Sequence, residues 1–291
     1  RDPKAQRRIW KKNGEGVMEN ITDEHRDEEG VDQVEPDGVD GGQKKPFWSG
    51  KSVVVIVIVL FVLGALSTIF WFGLTQYRQI ALNSVCQFNL KQLSLVLELY
   101  TNESPGQKYP PAVCVNGIWT IDLRVLYPEY MTDPGFLICD HDTDSTEIMR
   151  EALQQNPPDW NTLHRLLAEQ YVYLPWFIEN EDSFLELIDL PRQPLDEDII
   201  LEKHRFFLLR RGIERFYIKE VMNPGTSAML RSATPIVFDN PGSMNHGTDR
   251  INVLYLDGHT GFLSLGSKQF PATQAVWDYF TERTAALKNE P

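Results

Sequence analysis

Residues 75–104 read TQYRQIALNSVCQFNLKQLSLVLELYTNES, and their spacing decides the fold class. Leu82, Cys86, Leu90, Leu93, Leu97 and Tyr100 recur at steps of 4, 4, 3, 4 and 3, the repeat of one apolar stripe on a helix. Gln87, Asn89, Lys91 and Gln92 are expected to turn away from it. Neither proline nor glycine occurs between Gly73 and Pro105, so nothing separates this amphipathic stretch from the one before it.

That preceding stretch, residues 53–74, is VVVIVIVLFVLGALSTIFWFGL and carries no charge. At about 1.5 Å per residue a helix of this length extends about 33 Å, against a hydrocarbon core of about 30 Å. Trp48 and Trp71 stand where interfacial aromatics belong. A polar segment of 50 residues precedes the run, unlike the short leader of a cleavable signal peptide. The expectation is one long helix, its first half in lipid and its second half packing a stripe on a globular domain. Residues 1–50 are expected to be a disordered cytoplasmic tail, 51–75 a transmembrane helix and 76–291 a periplasmic domain. The orientation follows a small lysine bias, with Lys44, Lys45 and Lys51 before the span and Arg78 and Lys91 after it. The chain begins with Arg1, and a further N-terminal segment is expected.

The formal net charge of −13 argues against a nucleic-acid binder, which needs a basic face to displace counterions. Acidic residues are spread along the chain: 12 Asp/Glu against 9 Lys/Arg in residues 1–50, and 29 against 19 thereafter. The tail is basic from Arg1 to Lys12, acidic from Glu15 to Asp40 and poor in apolar residues.

Within the globular part, Asn116-Gly117 between two β-prone runs marks a hairpin, because both turn positions favour positive φ. DLRVLYPEYM reads as a short helical turn, with helical patterns at 144–155 and 159–170 and a strand-like YVYLPW. A short helix is expected over 183–190 and strands over Arg215–Ile218 and Pro235–Phe238. INVLYL turns at Asp257-Gly258 and returns as HTGFLSL, before an amphipathic helix near Ala272–Leu287. The fold class is α+β: a long N-terminal helix packed on an antiparallel sheet, with a helical insertion.

The anchor running into CQFNLKQLSLVLELY, then YPP and LYPEYMTDPGFLICDHD, resembles the type IV pilin-like proteins, the pseudopilins of type II secretion systems. It is closest to their planctomycete-type, prepilin-like group. GIERFYIKEVMNPGTSAMLRSATPIVFDNPGSMNHGTDRINVLYLDGHTGFL is similar to that group's C-terminal signature, His246 spaced from Asp257-Gly258 at the end of a strand. The spacer holds ten residues, slightly longer than usual in the group. The resemblance covers residues 53–140 and about 212–275. It implies a structural or assembly component of the secretion machinery, not an enzyme. Its implied setting is the inner membrane, with lipid, other pilin-like subunits or the machinery as partners. The family's processing signal places Phe after the cleavage glycine and Glu further in. Here Lys51 follows Gly50, Val55 stands at the glutamate position, and no acid occurs from Lys51 through Leu74, so residues 1–50 are expected to be retained.

Three local questions stay open in the sequence. NHGTDRINVLYLDGHTGFL brings His246, Asp249, Asp257 and His259 close along the chain. A type I′ turn explains Asp257-Gly258 without chemistry and sets His259 opposite Leu256. A membrane-tethered enzyme using His246, Asp257 and His259 with a metal is the alternative, although no HExxH or Cys-pair spacing supplies further ligands. In CDHDTDSTEIMRE, Asp140, Asp142, Asp144 and Glu151 have the spacing of a calcium loop, which would make the domain a calcium-dependent binding module. Ser145 replaces the turn glycine, and the other reading is an acidic helix start. Finally, Cys139 can bridge to Cys86 or to Cys114, or all three can remain thiols.

Overall fold

The computed structural model describes residues 50–138, 143–190, 195–218, 224–243 and 249–289. Side chains of 75, 76, 78–83, 143 and 224 are outside that description, as are the tail before Gly50 and Cys139, Asp140, Asp142 and His246. The chain divides into two units, Arg1–Phe61 and Val62–Pro291. The fold is α+β, with antiparallel sheets and one long apolar helix near the N-terminus.

Helix α1 runs from Gly50 to Glu103 without interruption, continuing through Gly64 and Gly73. Its segment Lys51–Leu74 is the one helix among the described residues long and apolar enough to cross a membrane, and none of its most apolar window is buried. The C-terminal half does carry the expected stripe: Cys86, Leu90, Leu93 and Leu97 are buried, and Tyr100 is half-buried. The stripe is broader than the sequence spacing suggested. Val96 is buried too, and so, against expectation, is Asn89, because steps of three from Leu93 and Cys86 place them on the same side.

A hairpin follows, β1 (Ala112–Val115) paired antiparallel with β2 (Ile118–Ile121). Asn116 and Gly117 both adopt positive φ, at 49° and 81°, as the Asn-Gly pair predicts. Helices α2 (Thr143–Gln154), α3 (Trp160–Gln170) and α4 (Glu181–Ile188) match the helical patterns. Two-residue strands β4 (Ile199–Ile200) and β5 (Arg205–Phe206) form a minimal pair that the sequence did not signal. Arg215–Ile218 is not a strand. Gly212, with φ of 75°, opens a 3-10 turn over Ile213–Phe216 that buries Ile213 and Glu214. Helix α5 (Pro224–Ala233) also went unforeseen.

The main sheet has four antiparallel strands in the order β3 (Tyr171–Tyr173), β6 (Pro235–Asp239), β7 (Arg250–Tyr255) and β8 (Thr260–Ser264). Its two faces serve two apolar clusters. Tyr171, Tyr173, Ile236, Leu254 and Leu256 join the α1 residues Leu90, Leu93 and Leu97. Val172, Phe238, Ile251, Val253 and Tyr255 join Val276, Phe280 and Leu287 of α6 (Gln274–Lys288), with Trp119 and Trp176. The alternation along β7 is the two-residue period of a strand buried on both faces. Each fully buried leucine contributes about 1.5–3 kcal/mol relative to exposure, so the α1 stripe is a principal anchor of this half of the core. Beyond β6, Asn240 donates to the Ala168 carbonyl at 2.7 Å and to Thr284 Oγ1 at 2.9 Å, tying the strand's exit to α3 and α6.

Candidate functional site

The β7–β8 connection settles part of the question raised by Asp257-Gly258. The Gly258 amide donates to the Tyr255 carbonyl at 2.9 Å, and the Tyr255 amide donates to the His259 carbonyl at 3.0 Å. Only Gly258 takes positive φ, 87°; Asp257 does not. The connection is therefore a three-residue loop, a type I turn closed by a left-handed glycine, and not the two-residue type I′ turn expected. The extra residue moves the partner of His259 from Leu256 to Tyr255. Their rings stack with centroids 4.3 Å apart. Asp257 Oδ1 accepts from the His259 amide at 3.1 Å and lies 2.6 Å from its Nδ1. The acid thus caps the turn.

Asp257 and Gly258 border a cleft of about 390 Å³, walled also by Ser94 and Glu98 of α1, Tyr109, and four arginines. Chain pairing places those arginines. Residues 107–109 run antiparallel to 209–211, with the Tyr109 amide donating to the Leu209 carbonyl and the Arg211 amide to that of Gln107. Arg210 and Arg211 are held at the rim in this way. The 3-10 turn after Gly212 presents Arg215, and α5 presents Arg231. Gly212 is needed there for its φ of 75°; a Cβ on it would make only ordinary contact with Arg215.

Ion pairing within the cleft is unequal. Arg210 reaches Asp198 at 3.2 Å and lies over the rings of Phe207 and Phe216, while its Nε is buried without a hydrogen-bond partner. Arg211 stands 3.6 Å from Glu98. Glu214 accepts from Ser227 at 2.9 Å. Arg215 and Arg231 are exposed and have no ion pair among the described residues. Burial pushes the Tyr109 hydroxyl above its ordinary value, with Arg231 pulling the other way, so at neutral pH it remains a donor. The arrangement is suited to holding an anion.

The remaining expected sites are placed differently. Asp144 and Glu151 both lie within α2, seven residues and therefore about 10 Å apart along its axis. Asp140 and Asp142, the other two expected calcium ligands, lie outside the described residues. Among the described residues no group of three or more His, Cys, Asp or Glu is placed to hold a metal ion. Cys114 carries an exposed thiol and Cys86 is buried on α1, while Cys139, the partner expected for either, lies outside the described residues.

A buried His–Asp contact escaped the sequence reading. Asp122 and His164 are both buried, with Nε2 3.3 Å from Oδ1. The Leu123 amide donates to the same Nε2 at 3.1 Å, and Arg124 donates to Asp122 through its backbone amide and through Nε and Nη2 of its guanidinium. Burial pushes the Asp122 carboxyl up, but the Arg124 hydrogen bonds and charge outweigh it and hold it well below the usual carboxylate range. The residues stand 42 apart in sequence, so no local pattern announces them. They fasten the exit of β2 to α3.

Comparison with protein-family models, with curated proteins and with solved structures finds no match to this chain.

Proposed function

We propose that the chain is a single-pass inner-membrane protein whose residues 76–291 form a pseudopilin-like periplasmic domain. In this reading it is a structural or assembly component related to type II secretion or type IV pilus systems, with its N-terminus cytoplasmic. One observation carries the proposal. On α1, Phe88, Leu95 and Leu99 are 61%, 63% and 54% exposed, whereas Leu97 between them is 1% exposed. At about 100° per residue the three fall together on the side opposite the buried stripe. The same helix carries the membrane-length segment Lys51–Leu74.

A second anchored subunit would hold its own helix at the same height above the bilayer, so a neighbouring pilin-like helix is the natural cover for this stripe. An apolar face left in water costs about 25 cal/mol per Å², which association would recover.

The test is site-directed cross-linking of the full chain in its native membrane. In a Cys114→Ser background, Leu95→Cys should form an oxidant-induced disulfide or a short cross-link to another copy or another pilin-like subunit, identified by mass spectrometry. Glu179→Cys, at an exposed position in another part of the domain, is the control. Equal cross-linking from both positions, or none from Leu95→Cys, would overturn the proposal.

A further inference from the structure

We infer that the cleft beside the β7–β8 turn is a binding site for a small oxyanion, a phosphate or carboxylate group, gripped by Arg211, Arg215 and Arg231. The inference does not depend on the assembly role. Its volume of about 390 Å³ is within the range of small-molecule sites. The cleft's own carboxylates leave two of its arginines without an ion pair among the described residues. Glu98 is engaged with Arg211, Glu214 accepts the Ser227 hydroxyl, and Asp257 is turned to His259. That leaves Arg215 and Arg231 as guanidinium groups on separate elements, each able to present two parallel N–H donors to one oxyanion. Tyr109, which also lines the cleft, adds a neutral hydroxyl donor.

The setting makes the arrangement informative. In a chain of net charge −13, arginines from three segments line one concavity. Gly258, with positive φ, lets the turn approach α1 closely on this side of the cleft: a Cβ there would lie 3.0 Å from Ser94 Oγ. Phosphate and carboxylate share the oxygen geometry that guanidinium recognises, so inorganic phosphate and citrate serve as separate probes of the two sources.

Isothermal titration of the full chain in detergent micelles, at low salt, reads the binding. A single saturable site is expected with at least one probe. Binding of phosphate alone points to a phosphate ester, of citrate alone to a polycarboxylate, and of both to recognition of the shared oxyanion. The Arg215→Ala, Arg231→Ala double variant should weaken binding at least tenfold, while Arg205→Ala, at an exposed position on β5, should not. Should the double variant fail to fold by circular dichroism, Arg231→Gln alone is read, with a loss of at least threefold expected. No saturable binding of either probe, or equal affinity in the folded variants, would overturn the inference.

Discussion

Ser94 of α1 and Gly258 of the β7–β8 turn meet closely: a Cβ built on Gly258 would lie 3.0 Å from Ser94 Oγ. The helix and the hairpin tip therefore constrain one another, and the glycine is required twice, for its φ of 87° and for its missing side chain.

Gly258→Val should destabilise the domain by about 1–3 kcal/mol through the backbone alone. Adding Ser94→Ala separates the two causes. The serine change should restore only the steric part, leaving the left-handed backbone cost in place. Urea unfolding of the single and double variants measures this. Full rescue by Ser94→Ala would show that backbone strain is not involved.

The Asp257–His259 contact predicts coupling without catalysis. Each residue is partly exposed, so Asp257→Ala and His259→Ala should individually cost no more than about 1.5 kcal/mol. Because they share one hydrogen-bonded turn, the double variant should cost less than the sum, by about 0.5 kcal/mol or more. Thermal or urea melts of the four proteins close the cycle, and strict additivity would contradict the geometry.

Asp122 gives the domain an acid-sensitive fastening. In the unfolded chain an aspartate titrates near about 3.9, whereas in the fold this carboxyl is held well lower. The unfolded state therefore takes up the proton first as pH falls. The contribution is fully present above about pH 5 and is lost progressively as pH drops through the unfolded value toward the folded one. Asp122→Asn should cost about 1–3 kcal/mol at pH 7 and less at pH 3. Denaturant midpoints at the two pH values decide it; an equal penalty at both would rule out the titration.

The sequence was most legible where one local signal decided the structure. The spacing from Cys86 to Leu97 and the Asn116-Gly117 pair led directly to a helix and a hairpin. It misled at Asp257-Gly258, since both turn types accept that dipeptide and the choice depends on how Leu256 is held. Leu256 donates its amide to the Thr234 carbonyl at 2.9 Å, a contact from another strand segment. Arg215 was misread because alternating polar and apolar residues also suit a 3-10 turn started by Gly212. The calcium spacing is ambiguous for a related reason: acids that alternate around an ion also make a favourable first turn of a helix, and α2 begins at Thr143. The arginine cleft was invisible because its walls come from segments around residues 94, 109, 211, 231 and 257.

The membrane-length segment should tolerate one buried charge and not three. Sixteen Val, Ile, Leu and Phe residues within 53–74 favour insertion by about 5–10 kcal/mol together, whereas one arginine near the centre costs about 2.5–3.5 kcal/mol. Leu63→Arg should stay in the pellet after alkaline carbonate extraction. Val59→Arg with Leu63→Arg and Leu66→Arg should release the chain. Extraction of the unmodified chain would show that the segment does not span a bilayer.

Leu95 and Leu97 sit two residues apart on α1 and should answer opposite questions. Leu97 is 1% exposed within the core, so Leu97→Ala should cost about 2–5 kcal/mol through lost packing and the cavity left behind. Leu95 is 63% exposed, so Leu95→Glu should change stability by no more than about 0.5 kcal/mol. If a neighbouring helix covers the stripe, the glutamate must be buried or the contact broken, and subunit association should fall sharply while the melting curve stays put. Chemical cross-linking in native membranes and a thermal melt of the purified chain give both readings from one preparation. Leu95→Glu protein that is stable and still associates at the unmodified level would leave Phe88, Leu95 and Leu99 as an uncovered surface, and the assembly proposal would fall with it.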